Sequence, residues 1–187
     1  MKTKSKRAVY VSTIASLLLA VVSLSPVLQA AGTSEDSKEV SDLLSQAKTQ
    51  AAQLKSDADQ MDILAQTNVS WERQANKVNA IRNDVNNVVK TIAKLNDASD
   101  AASPWQKTAI DRINPLLKGM ADNTTSIIEH MNRENGSRLN TKEHKDYVKA
   151  NAELAEEMST MITDFVNYGK TKAKFEKLTQ ELEVSER

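Results

Sequence analysis

The side chains best suited to bind a metal ion or a haem are His130 and His144, the only two histidines in the chain. In a helical hairpin that turns near residue 138, residues equally far from the turn lie level with each other. This reflection places both histidines at one end of the predicted hairpin, with Met131 close by. A His/His or His/Met pair can ligate haem, and histidine with carboxylates can bind zinc or copper. However, no Glu-x-x-His pair is present, and adjacent Glu and His side chains on a helix point in different directions. We therefore favour partly solvated or helix-capping histidines, and we assign no cofactor.

Three methionines form a second candidate metal site. The same reflection brings Met120 towards Met158, with Met161 one turn further along. Thioethers are soft ligands that suit copper, but methionine is also the usual filler of irregular helical cores. The second interpretation requires no ligand, and we favour it.

Polar residues interrupt the predicted core at one level. Reflection about turns near residues 68, 100 and 138 places Gln74, Thr124 and Asn151 in a single layer from three different helices. A buried polar layer can fix the register of a helical bundle. The alternative is that these residues line a pocket for a small molecule.

The chain lacks the motifs of common enzymes. It has no cysteine and only four glycines, so thiol chemistry and glycine-rich phosphate loops are absent, and it contains no Gly-x-Ser-x-Gly sequence. We therefore predict a protein that is not an enzyme. Its partner would be a protein or a small molecule that the sequence does not identify.

The first thirty residues have the layout of a secretory signal peptide. A lysine-rich start precedes an apolar run, and Pro26 and Ala30 supply a helix breaker and a small residue near the cleavage point. The alternative is a retained membrane anchor, since the run is close to the shortest length that spans a bilayer. Cleavage near Ala30 predicts a periplasmic or secreted protein without stable membrane insertion. Removing four basic residues leaves 21 basic against 25 acidic, a formal net charge of −4 that gives no reason to bind nucleic acid.

Apolar residues in the rest of the chain recur at alternating steps of three and four, which is the pattern of a helix packed in a left-handed bundle. This coiled-coil-like seam predicts helices over residues 37–66, 71–98, 104–134 and 141–183, joined by short turns. The fold class is therefore all-α, an antiparallel up-down-up-down four-helix bundle over 37–183, preceded by a 31–36 linker and followed by a 184–187 tail. The predicted seam positions are Val40, Leu44, Ala47, Ala51, Leu54, Ala58, Met61, Ala65, Trp71, Gln74, Val78, Ile81, Val85, Val88, Ile92, Leu95, Ile110, Ile113, Leu117, Met120, Thr124, Ile127, Met131, His144, Tyr147, Asn151, Leu154, Met158, Met161, Phe165, Tyr168, Lys172, Phe175, Thr179 and Leu182.

Turn residues separate these segments. Ser70 is a predicted N-cap of the second helix, and Ser103 with Gln106 forms a capping box around Pro104. Asn140 is predicted to cap the fourth helix.

Pro115 and Gly119 lie inside the third predicted helix. Because the seam keeps its phase across them, we predict a kink in one helix instead of a break between two. The fourth helix is longer than the others, so residues from about 176 to 187 should project past the bundle. That projection is either a solvated helix end or a site of docking or self-association.

Overall fold

The computed structural model describes residues 35–67, 69–133, 139 and 141–185, except for the side chains of 183–185. This part of the chain is all-α and contains no strand. It forms α1 (Lys38–Gln66), α2 (Trp71–Asp97), α3 (Pro104–Arg133) and α4 (Lys142–Ser185), with one 3-10 turn at Ser99–Ala101. Each helix boundary lies within two residues of its predicted position. The predicted 184–187 tail differs at its start, because α4 continues to Ser185.

Two of the helix starts carry side-chain caps. The Ser37 hydroxyl accepts a hydrogen bond from the Val40 N–H at 3.4 Å, and the Thr141 hydroxyl accepts one from the His144 N–H at 3.2 Å. Thr141 therefore caps α4, whereas the predicted cap, Asn140, lies outside the described residues. Ser70 occupies the N-cap position of α2, but its side chain makes no capping hydrogen bond.

Ion pairs and ring contacts show which helices are neighbours and how they run. Lys55 of α1 contacts Glu156 of α4 at 2.6 Å, and Asp36, just before α1, contacts Lys172 at 3.1 Å. The residue number on α4 falls as the number on α1 rises, so these two helices are antiparallel. The same relation holds between α3 and α4, where Arg112 lies over the Phe165 ring and Asn151 bonds to Thr124 further along.

The core contains the predicted seam of α1, α2 and α3 with one exception. Every predicted position on these helices is buried except Trp71, which is 39% exposed. Each of these helices buries one narrow apolar stripe against two neighbours, and the stripe is what the alternating spacing detects.

The seam predicted for α4 is wrong over most of its length. Only His144, Asn151 and Met158 of that set are buried. The remaining core positions of α4 are Val148, Ala152, Ala155, Ser159, Ile162 and Val166. Three of these six are alanine or serine, and the aromatic residues of α4 lie at the side of this face or outside it.

The third helix continues through Pro115 without interruption, from Pro104 to Arg133. Proline removes the hydrogen bond to the carbonyl of residue 111, but Pro115 and Asp111 are both exposed, so water can satisfy that carbonyl. Gly119 serves helix packing, because a Cβ atom built there would lie 3.1 Å from Cδ1 of Leu154 on α4. The leucine side chain therefore packs directly onto the glycine backbone.

The predicted signal peptide and the first part of the linker, residues 31–34, lie outside the described residues. Among the helices described, none is long and apolar enough to cross a membrane.

Candidate functional site

His130 and His144 meet inside one end of the bundle. Their ring centroids are 5.4 Å apart with an interplanar angle of 29°, so the imidazoles are stacked. The sequence prediction that both lie near one end agrees with this geometry. The expectation that they are partly solvated does not, because His130 is 2% exposed and His144 is fully buried.

His144 is held by a residue from the diagonally opposite helix. Its Nε2 lies 2.9 Å from the side-chain oxygen of Gln74 on α2. Since that oxygen accepts, Nε2 carries the proton and donates, and the neutral ring leaves Nδ1 as an acceptor. No described side chain or backbone group bonds to His144 Nδ1, which is buried.

Burial holds His144 in its neutral form. Loss of solvent around the ring, with a smaller contribution from the neighbouring His130, lowers the pKa of His144 to about 4. The imidazole therefore stays uncharged at neutral pH, when it serves as a hydrogen-bond donor inside the core.

The second histidine connects the ends of α3 and α4. His130 Nε2 lies 3.2 Å from the Thr141 hydroxyl, and its Nδ1 lies 3.3 Å from the Arg133 guanidinium. Because arginine can only donate, Nδ1 accepts and Nε2 donates to Thr141. Glu143 approaches the same Nδ1 at 3.8 Å and Arg133 at 3.6 Å, which places an exposed ion pair beside the ring.

The contacts of the histidine pair determine what it can bind. Three of its four ring nitrogens already face a protein partner, and the Arg133 cation lies beside one of them. A metal ion would have to displace these partners and approach a positive charge. The described residues contain no group of three or more histidine, aspartate or glutamate side chains placed to hold a metal ion. Met131 lines a separate pocket of about 150 Å³ with Trp71 and Ile128, and neither histidine lines that pocket.

The predicted polar layer divides into two parts. The Asn151 side-chain N–H donates to the Thr124 hydroxyl at 3.3 Å, and both residues are buried. Gln74 bonds instead to His144, which is seven residues from Asn151 and thus about 10 Å away along α4. Reflection assumes that every turn is centred and every helix is parallel to the bundle axis, so its errors accumulate over three turns.

The methionine cluster also divides. Met120 and Met158 are fully buried among the core residues, as expected of gap-filling side chains. Met161 instead lines an open groove on the surface of α4.

A buried glutamine at the opposite end of the bundle was missed as a core residue. Gln106 is fully buried, and its oxygen accepts from the backbone N–H groups of Ser37 at 3.0 Å and Ser103 at 2.9 Å. Its amide nitrogen donates to the Ser37 carbonyl at 2.8 Å and the Ser41 hydroxyl at 2.9 Å. The capping-box spacing signalled the bond to Ser103, but no sequence signal pointed to the bonds that attach the start of α1 to α3.

Trp105 and Lys172 mark the level at which α4 leaves the bundle. The Trp105 indole N–H donates to Asp36 at 2.7 Å, and Lys172 contacts the same carboxylate. The indole packs onto Gly169, where an added Cβ would lie 2.7 Å from the ring. The Trp105 and Tyr168 rings meet edge to face, with their centroids 5.4 Å apart.

A second group of ionisable residues lies between α1 and α2. The Lys77 ammonium donates to Asp57 at 2.9 Å, and Asp57 is 8% exposed. Burial of Asp84, together with the neighbouring Asp57 carboxylate, raises the pKa of Asp84 to about 6. Below about pH 6 the pair therefore holds one proton between its two carboxyl groups, with Lys77 compensating the remaining charge.

The exposed face of α4 carries large apolar residues. A groove of about 540 Å³ is lined by Arg112 of α3 and by Met161, Phe165 and Tyr168 of α4, among other residues. Beyond Lys172, every described side chain from 173 to 182 is exposed except Thr179.

This projecting segment presents three large apolar side chains to solvent. Phe175 is 70% exposed, Leu178 47% and Leu182 68%. We name residues 173–185 the α4 extension.

No protein-family model matches this chain, and neither a curated protein nor a solved structure shows significant similarity to it. The interpretation of the site therefore depends on its own geometry.

Proposed function

We propose that this chain is an exported, non-enzymatic helical-bundle protein of the cell envelope that acts by binding, as a structural or chaperone-like module. The observation that carries the proposal is the α4 extension. It keeps Phe175, Leu178 and Leu182 exposed on a helix that has left the bundle. An exposed row of large apolar side chains is typical of a surface that binds another protein.

The buried polar residues support a structural role for the rest of the molecule. The Gln74–His144 and Asn151–Thr124 bonds and the contacts of Gln106 join different helices. Such bonds favour one register and one topology of the bundle. A rigid bundle that carries a projecting apolar helix suits a binding module.

Export is the second part of the proposal, and it is supported by the leader sequence at residues 1–30. Cell fractionation and mass spectrometry of the mature N-terminus test it. We expect the protein outside the cytoplasm with a chain that starts near residue 31. A protein found in the cytoplasm with its leader intact would contradict this part.

Binding is tested by photo-crosslinking in intact cells. A photoreactive amino acid at Phe175 faces the proposed partner, and the same amino acid at Ala173 lies on the opposite side of the extension. We expect cross-linked species from position 175 and far fewer from position 173. Equal yields from both positions, or none from either, would contradict a specific binding face.

A carrier of a small molecule, haem or metal is the second candidate function. One observation favours it, namely the buried acceptor His144 Nδ1, which has no partner among the described residues. Absorbance and metal analysis of protein isolated from the envelope test this candidate. A haem carrier would show a Soret band that His144→Ala removes, and a colourless, metal-free protein would contradict haem or metal carriage.

A further inference from the structure

We infer that the α4 extension is a self-association element that pairs antiparallel with the extension of a second copy of this chain. The inference deepens the proposed binding function by naming the partner. It uses the same exposed face, and the measurements below distinguish its failure from failure of the wider proposal.

The first argument is the spacing of large apolar residues along α4. Tyr147, Leu154, Met161, Tyr168, Phe175 and Leu182 follow one another at intervals of seven residues. A seven-residue repeat sustained over several turns is the signature of a helix that packs on a partner helix. The first half of this row has a partner, since Leu154 packs onto Gly119 of α3.

The second half of the row is mostly exposed in the described part of the chain, although the Tyr168 ring contacts the Trp105 ring of α3. Tyr168 is 53% exposed, Phe175 70% and Leu182 68%. The extension contains 13 residues and is about 20 Å long, because α4 ends at Ser185. The helix therefore continues for more than three turns beyond the last of the described helices that could cover it.

The third argument is the distribution of charge, which identifies the partner. Residues 170–177 contain four lysines and one glutamate, whereas residues 178–185 contain two glutamates and no basic residue. Parallel pairing of two extensions would place the basic halves together. Antiparallel pairing places each basic half against an acidic half, so the segment is complementary to itself.

A specific register satisfies both the apolar and the charged positions. If Phe175 of one copy lies level with Leu178 of the other, two-fold symmetry repeats the contact, and Leu182 faces Thr171. Lys174 and Glu181 flank this core at equivalent positions, and each lies about 3 Å along the axis from the level of the other across the pair, within reach of a long side chain. Within one helix Glu181 already pairs with Lys177 at 3.7 Å, so Lys174 of the second copy would join that exposed ion pair.

An anionic membrane is a poorer occupant of the same face. Membrane-surface helices combine an apolar face with a strongly basic polar face. Residues 170–187 carry five basic and four acidic side chains, so a negative surface would repel nearly as much charge as it attracts.

The contact is small, because each extension contributes only a few large apolar residues. Interfaces at the low end of the size range are weak and transient. We therefore expect monomers at low protein concentration and dimers only at high concentration.

Sedimentation equilibrium of the purified protein, from roughly 5 to 500 μM, tests the association. Phe175→Glu should weaken dimerisation at least tenfold. Ala173→Glu is the matched control, because it adds the same charge to an exposed position on the outer side of the extension, and it should leave dimerisation unchanged. Circular dichroism should show the same helix content for all three proteins, since both substituted residues are exposed.

A charge exchange tests the antiparallel orientation. Lys174→Glu alone should weaken the dimer about fivefold, because it places like charges opposite each other at two symmetric sites. Lys174→Glu combined with Glu181→Lys restores opposite charges in the antiparallel register and should recover the affinity. In a parallel pair these two positions do not face each other, so the absence of recovery would overturn the proposed orientation.

Spin labels measure the register directly, and the cysteine-free chain allows single labelling sites. A label at Lys177 lies beside the proposed two-fold axis and should give the shortest distance between copies. Labels at Asn167 should lie about 30 Å apart along the axis, because each residue away from the centre adds two helical rises. Equal distances at the two positions would indicate parallel pairing and overturn the inference.

Two further results would overturn self-association. One is a protein that stays monomeric over the whole concentration range with its helices intact. The other is binding to anionic vesicles that Phe175→Glu abolishes, without any dimer. If position 175 nevertheless cross-links to a different protein in cells, the wider binding proposal survives and only the identity of the partner is wrong.

Discussion

The buried imidazole of His144 predicts a specific loss of stability in mild acid. Its pKa is lowered from an ordinary value of 6.5 to about 4 by burial. Above pH 6.5 the ring is neutral in both the folded and the unfolded chain, and the contribution of His144 to the free energy of unfolding is fully present. As the pH falls below 6.5, the unfolded chain takes up a proton that the folded protein does not, so the free energy of unfolding decreases until the pH passes about 4.

The size of this effect follows from the difference in pKa. Each unit corresponds to 1.36 kcal/mol, so the full contribution is about 3 kcal/mol and the part lost between pH 6.5 and pH 5 is about 2 kcal/mol. His144→Gln removes the titrating group and keeps an amide N–H to donate to the Gln74 oxygen. The variant should therefore lose about 2 kcal/mol less stability than the original protein between pH 7.5 and pH 5.

Urea unfolding followed by far-ultraviolet circular dichroism at pH 7.5, 6.5, 5.5 and 5.0 measures this difference. Comparing two proteins at each pH cancels the titration of the acidic residues that both retain. If the two curves of unfolding free energy against pH are parallel within about 0.5 kcal/mol, the folded protein does not exclude the proton from His144. The argument for a neutral core donor would then be wrong.

Three other changes test separate parts of the structure. The raised pKa of Asp84 means that its protonated carboxyl contributes to stability below about pH 4, and that this contribution is lost as the pH rises through 6. Asp84→Asn should therefore raise the free energy of unfolding by about 1 kcal/mol at pH 8 but barely at pH 4, as measured by urea unfolding. Gly169→Ala should lower the melting temperature by several degrees, since the new methyl would lie 2.7 Å from the rigid Trp105 ring; an unchanged melting temperature would contradict that close packing. Thr124→Val should lower the free energy of unfolding by about 1–3 kcal/mol, because it leaves the Asn151 amide N–H without its acceptor. Adding Asn151→Leu should recover most of this loss. A double variant as unstable as the single one would refute a simple hydrogen-bonded pair.

The first three helices could be predicted from the sequence because each has one apolar stripe and two neighbours. Val40, Val88 and Ile113 are fully buried, as their spacing predicts. The short turn between α3 and α4 also gave a correct register, since Asn151 and Thr124 are bonded.

The interior of the histidine end could not be predicted in the same way. Whether His144 is buried depends on Gln74, which reaches it from the diagonal helix. Such a contact depends on the distance between helix axes and their tilt, and spacing along one helix contains neither quantity. The bonds of Gln106 to Ser37 and Ser41 were missed for the same reason, because they join segments more than sixty residues apart.

The error in the fourth helix has a physical cause that bears on function. The sequence pattern assigns the aromatic residues of α4 to the core, but Ala152, Ala155 and Ile162 lie there instead. The core face of α4 combines small residues with Met158 and Ile162, while its aromatic residues lie outside that face and are available for another surface.

Two apolar faces on one helix need two partners. Completing the bundle explains the buried face of α4. At 168, 175 and 182, charged residues would serve a solvated helix end better than Tyr168, Phe175 and Leu182 do. Tyr168 contacts the Trp105 ring, but Phe175 and Leu182 cost solubility and bury little surface within the described part of one chain. The gain has to come from outside that part, and the reversed charge order of the extension is satisfied when a second copy supplies it.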